Sequence, residues 1–187
     1  MYWDGSDYDD MLRLVVDIYV DYGIKEFPID EKELCRKMGI LLIPYSEYPD
    51  KELLKKRSRE GFFIPISKDH PPMILYNDDI SEVKSYGRMR TTIFHEIKHI
   101  ANGDVTENEK DEDLAEYFAK NMMCPIPLAV IRNITQPSVI ISEFETSYDM
   151  ACNIVRNVIS RRRAMGTKIL EFEKPLLEQL GIGGDAY

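Results

Sequence analysis

Apolar residues recur along the chain with two periods, one helical and one extended. Over residues 8–22, Met11, Leu12, Leu14, Val15, Ile18 and Tyr19 fall at helical spacing, and Gly23 closes the run. A second helix opens at Asp30, an expected N-cap. Glu33, three residues on, completes a capping-box-like pattern with Asp in place of Ser or Thr. Leu34, Cys35 and Met38 would face inward, and Gly39 ends the helix. Residues 40–44 read as a short buried strand. The stretch 46–60 is charged and poorly patterned, as in a solvated loop or a short surface helix. Residues 61–66 and 73–77 look like two strands, and the turn-forming link 67–72 lets them pair as a hairpin.

One long helix is expected over 78–101, capped by Asp79 or Ser81, carrying Gly87 inside and ended by Asn102-Gly103. Thr106 and Glu109 have capping-box spacing for the next helix, which runs to Met123 and stops near Cys124-Pro125 and Pro127. On that helix Glu112, Ala115, Glu116 and Ala119 share a strip. Carboxylates beside two alanines suit a face that looks at a metal. After Pro137 come a short helix at 138–144, a turn, and a helix over about 148–163 that Ser147 can cap. Together they have a helix-turn-helix shape. The tail from Gly166 holds one more short helix and a Gly-Gly end.

Composition narrows the class. With 187 residues, 44% of them hydrophobic and 30% charged, the chain should fold as one well-packed domain with a small appendage. A net charge of -9 argues against a general nucleic-acid binder. Arg156, Arg161, Arg162 and Arg163 are therefore read as cations favoured at a helix C-terminus rather than as DNA contacts. Cys35, Cys124 and Cys152 are scattered, without C-x-x-C spacing, which argues against both a disulfide framework and a cysteine metal site and for a reducing compartment. There is no signal-peptide pattern and no apolar run long enough to span a bilayer, so a cytoplasmic protein without a membrane partner is expected.

The chemistry concentrates at His95-Glu96-Ile97-Lys98-His99, an H-E-x-x-H pattern. Residues four apart share a helix face, so both imidazoles can hold one zinc ion, while Glu96 falls where a general base for an activated water belongs. Phe94, Ile97, Ile100 and Ala101 make this helix partly buried, and buried histidines need a partner. The third histidine, His70, sits beside two prolines and reads as a surface residue. A catalytic site needs a third protein ligand and an open position. Asn102 and Val105 occupy the places where a metzincin has Gly and a third His. Asp104 is a minor candidate, and Glu112 and Glu116 are the stronger ones. Tyr76, Tyr86 and Tyr117 are candidate oxyanion stabilisers only through nearness in sequence.

Residues 88–100, Arg-Met-Arg-Thr-Thr-Ile-Phe-His-Glu-Ile-Lys-His-Ile, resemble the signature of the ImmA/IrrE family of metallopeptidases. So does Glu112 followed by Ala115, Tyr117-Phe118-Ala119 and Met122-Met123-Cys124-Pro125. The resemblance extends to Pro28-Ile29-Asp30 with its helix and to the region around Ser147. It implies an α+β fold: a small zincin-like core over 1–130 with a short sheet packed on helices, helix-turn-helix-like helices over 137–165, and a tail over 166–187. It implies zinc held by His95, His99 and Glu112, with Glu96 as catalytic base; Glu116, on the same helix face, stays the alternative third ligand. It also implies site-specific cleavage of a helix-turn-helix repressor, relieving repression of mobile-element or stress genes. Lys98, in place of a small residue, and Glu116, in place of Asn, depart from the family pattern. Two other readings compete: a non-catalytic zinc-containing regulator that binds a repressor or DNA, and a zinc hydrolase acting on something other than protein. The sequence leaves the oligomeric state open.

Overall fold

The computed structural model describes residues 5–104 and 109–183. The capping-box pattern at 106–109 and both chain ends fall wholly or partly outside them. The fold is α+β. The described helices are α1 (Gly5–Asp21), α2 (Glu31–Lys37), α3 (Lys51–Arg57), α4 (Ile80–Val83), α5 (Tyr86–Asn102), α6 (Glu109–Met123), α7 (Ile126–Ile131), α8 (Pro137–Phe144), α9 (Tyr148–Met165) and α10 (Lys174–Gln179). Short 3-10 turns lie at Tyr45–Glu47 and Glu171–Glu173, and the strands are β1 (Leu41–Pro44), β2 (Gly61–Ile64) and β3 (Met73–Tyr76). Contacts divide the chain into two compact units. One is Asp30–Ala119; the other joins the described residues up to Ile29 with those from Lys120 onward.

The first unit holds the sheet, in the order β1-β3-β2. The expected hairpin forms: β2 runs antiparallel to β3, with Gly61 opposite Tyr76. β1 runs parallel to β3, with Leu41 opposite Met73. The expectation that β1 is buried fails. It is an edge strand, Leu41 is exposed, and the rest of the strand is only half-buried. Alternation splits the β2 side chains between two faces. Phe62 joins Tyr45, Leu54 and Leu75 in one apolar cluster, while Phe63 turns to the opposite face and meets α5.

The single helix expected over 78–101 is two helices. Asp79 does cap a helix, accepting from the Ser81 amide, but α4 lasts one turn. Lys84 then adopts a left-handed conformation at φ 74°, and the chain restarts with Ser85 as N-cap, its Oγ accepting from the Arg88 amide at 3.1 Å. Gly87 therefore sits in the first turn of α5, not in a helix interior. Gly103, at φ 71°, closes α5 by donating to the carbonyls of His99 and Ile100.

Two devices hold α5 in this unit. Arg90, 1% exposed, pairs through Nε with Glu31 Oε2 at 3.0 Å, and the Tyr86 hydroxyl donates to Glu31 Oε1 at 3.1 Å. This buried ion pair ties α5 to α2. On the sheet side, a Cβ at Gly61 would stand 2.7 Å from Thr92 Cγ2 and 3.0 Å from the Leu75 carbonyl oxygen. Strand and helix approach too closely there for any side chain.

In the second unit, α1 buries Met11, Val15, Ile18 and Tyr19, and the Tyr19 hydroxyl donates to the Met122 carbonyl at 2.6 Å. Phe27 packs edge-on against Phe144. α7 is a helix that the sequence pattern does not announce. Its Pro127 looked like a stop, yet proline fits the first turn of a new helix, and Ile126 to Val130 are all buried. α8 and α9 form the expected pair, with Glu145 left-handed at φ 51° after α8 and Ser147 capping α9. Two arginines of α9 serve this unit. Arg161 grips the buried Glu173 through two bonds of 2.6 Å, and Arg162 donates to the Val130 carbonyl at 2.9 Å. Among the described residues, no helix is long and apolar enough to cross a membrane.

Candidate metal centre

Two elements of the sheet-bearing unit supply the centre. α5 carries His95 and His99 on one face, with Nε2 atoms 3.2 Å apart. α6 brings in Glu112, whose Oε2 lies 3.2 Å from His95 Nε2 and whose Oε1 lies 3.5 Å from His99 Nε2. Four-coordinate divalent metals hold such ligands at about 2.0–2.2 Å, which places neighbouring donor atoms about 3.3 Å apart. The observed triangle therefore already has the edges of one face of a tetrahedral site. Two imidazoles and a carboxylate are a donor set for a borderline divalent cation. Glu116 is exposed, one turn further along α6 and outside this three-residue cluster.

The His99 ring is held from two directions. It is fully buried and stacks on Phe63 of β2, with centroids 5.0 Å apart and planes 9° from parallel. Its Nδ1–H donates to Asp104 Oδ2 at 2.9 Å, which leaves the Nε2 lone pair aimed at the cluster. Asp104, a minor candidate ligand in the sequence, instead sits behind His99 and orients its ring. Burial works to raise its carboxyl, but hydrogen bonds from Lys98, Asn102 and His99 hold it below the usual carboxylate range. His95 is pushed down to about 4, first by burial and then by the charges of His99, Lys98 and Arg88. Near neutral pH its ring is uncharged and able to ligate.

The centre lies in the wall of an open cavity of about 600 Å³. Glu96, 5% exposed, lines it together with His95 and Glu112, and Gly61 and Phe62 contribute from β2. None of Tyr76, Tyr86 and Tyr117 is among the lining residues. Tyr76 is buried, its hydroxyl raised to about 12 by burial and then by neighbouring carboxylates, and Tyr86 is engaged by Glu31. The cations that do line the cavity are Arg57, Arg59 and Arg88. Arg57 lies over the Phe62 ring at 4.2 Å, and Arg88 bridges to Glu60 at 2.9 Å. In the sequence Arg57 and Arg59 belonged to a charged surface stretch, and nothing local distinguished them. His70 lies in the β2–β3 loop, its Nδ1 2.9 Å from the Pro71 carbonyl oxygen, apart from the cluster. No protein-family model, curated protein or solved structure matches the chain.

Proposed function

We propose that the chain is a zinc-dependent endopeptidase with a zincin-like core, using His95, His99 and Glu112 as metal ligands and Glu96 as catalytic base. The observation that carries this reading is the triangle of donor atoms, 3.2, 3.2 and 3.5 Å on its edges, in the wall of an open cavity that Glu96 also lines. Zinc, when bound, polarises the scissile carbonyl and lowers the pKa of water toward about 7. Glu96 accepts the proton of the attacking water and passes it to the leaving amine. Its burial keeps that carboxylate poorly screened and close to the reaction.

A polypeptide substrate is supported by β2. This strand is an edge of the sheet, and its Gly61 and Phe62 line the cavity, so an extended chain can pair alongside it next to the metal ligands. The choice of a helix-turn-helix repressor as substrate rests on the ImmA/IrrE resemblance of residues 88–100 and 112–125. The test is incubation, with zinc, of the protein and the repressor encoded beside its gene. Two discrete fragments are expected from wild type and none from Glu96→Gln, which keeps all three ligands. An intact repressor, or cleavage surviving that substitution, overturns the proposal.

A further inference from the structure

We infer that Lys98 is a positioning residue for the third metal ligand: its buried ammonium clamps the first turn of α6 to α5 and so holds Glu112 against the two imidazoles. This rests on the metal reading above and adds to it a residue that the H-E-x-x-H pattern leaves variable.

Lys98 lies between Ile97 and His99 in the sequence, yet its side chain is 0% exposed. A buried ammonium is strongly unfavourable unless carboxylates surround it. Two do so, from different places. Asp104, in the turn after α5, accepts from Lys98 Nζ at 2.6 Å, and Asp111, in the first turn of α6, lies 3.7 Å away. The same Asp104 oxygen takes the Nδ1–H of His99, so one lysine links the carboxylate that orients one ligand to the helix that carries another. Asp111 immediately precedes Glu112, and a shift of its backbone carries Glu112 with it.

Charge alone gives no reason for a cation here. An ammonium beside two imidazoles works against a dication, so a site built only for affinity would hold a neutral residue at this position. What Lys98 contributes is the placement of α6. Packing is the competing explanation, and the two differ in one respect. A clamp acts through Glu112, whereas a packing residue acts on the whole unit.

The experiment measures zinc affinity by competition with a chromophoric chelator for wild type, Lys98→Met, Glu112→Gln and the double variant. Methionine keeps the length and loses the charge. Lys98→Met is expected to weaken zinc about 10- to 100-fold, as loss of an outer partner of a ligand does. In the Glu112→Gln background the same change should have little effect, because the ligand that the clamp positions has already been lost. If Lys98→Met does not fold, Asp111→Asn replaces it. It breaks only the α6 side of the clamp and should weaken zinc several-fold, again only while Glu112 is present. Wild-type affinity in both Lys98→Met and Asp111→Asn, or a loss that simply adds to that of Glu112→Gln, overturns the inference while leaving the metal site standing. A wild-type protein that binds no zinc overturns the metal reading itself, and this inference with it.

Discussion

Gly61→Ala is the sharpest single test of how the sheet positions the centre. The backbone at Gly61 is not left-handed, so the constraint is space, not conformation. The new methyl would sit 2.7 Å from Thr92 Cγ2, whereas carbon atoms pack best at about 3.5–4.0 Å. Relief requires roughly 1 Å of movement between β2 and α5. The strand cannot simply slide away, because the methyl also meets the Leu75 carbonyl oxygen at 3.0 Å, on the neighbouring strand. Overpacking of this kind costs about 1–3 kcal/mol, read as a fall in the urea midpoint at unchanged slope. Thr92→Ser deletes the offending methyl and keeps the hydroxyl bond to the Arg88 carbonyl. Added to Gly61→Ala, it should restore part of the loss, but not the share due to Leu75. Zinc affinity should fall with stability, since Phe63, two residues along β2, stacks on His99. A Gly61→Ala protein as stable as wild type, or a loss that Thr92→Ser deepens, would refute the packing argument.

Three further outcomes follow from the same geometry. Asp104→Asn removes the carboxylate shared by His99 and Lys98. It should weaken zinc about 10- to 100-fold in chelator competition. Because it also strips the buried ammonium of its nearest partner, about 3–5 kcal/mol of stability should go with it in urea unfolding. Metal-free protein should lose stability as pH falls from about 6.5 to about 4, because the unfolded chain protonates His95 in that window while the folded chain resists it. The full shift corresponds to about 3 kcal/mol, and it is isolated as the difference in urea-derived stability between wild type and His95→Gln at pH 7, 5.5 and 4. Equal slopes for the two would remove His95 from the account. Glu31→Gln leaves Arg90 buried without its carboxylate and should cost about 3–5 kcal/mol in the same assay, whereas Glu33→Gln, in an exposed pair on the same helix, should leave the urea midpoint almost unchanged.

The parts of the fold legible in the sequence were those set by local chemistry. Asp30 and Ser147 cap helices where oxygen-bearing side chains precede apolar spacing, and Gly103 ends α5 where a left-handed residue is needed. The β2–β3 hairpin followed from two apolar runs around a turn-rich link. The errors came where local signals conflict. Asp79, Ser81 and Ser85 are all good caps within seven residues, and only the left-handed turn at Lys84 decides that Ser85 starts the long helix. Leu41 and Leu42 look like buried-strand residues, yet Leu41 is exposed and Leu42 only half-buried, and what covers the faces of a strand is a tertiary property.

The centre divides along the same line. Two of the proposed ligands lie on one helix, so their spacing alone could announce them. Glu112 and Glu116 share a strip of α6, and helical spacing cannot separate them; what separates them is where α6 begins relative to α5. That placement depends on Lys98, which stood out only as a departure from the family pattern, and on Asp111, one of several acidic residues. The orientation of His99 depends on Phe63 and Asp104, from a strand and a turn that share no pattern with the motif. Two of the three proposed ligands are thus written into one short helical stretch, while the third and the precision of the whole are distributed over β2, the turn at 103–104 and the first turn of α6. Substitutions in those three places should disturb metal binding while every residue of H-E-x-x-H stays intact.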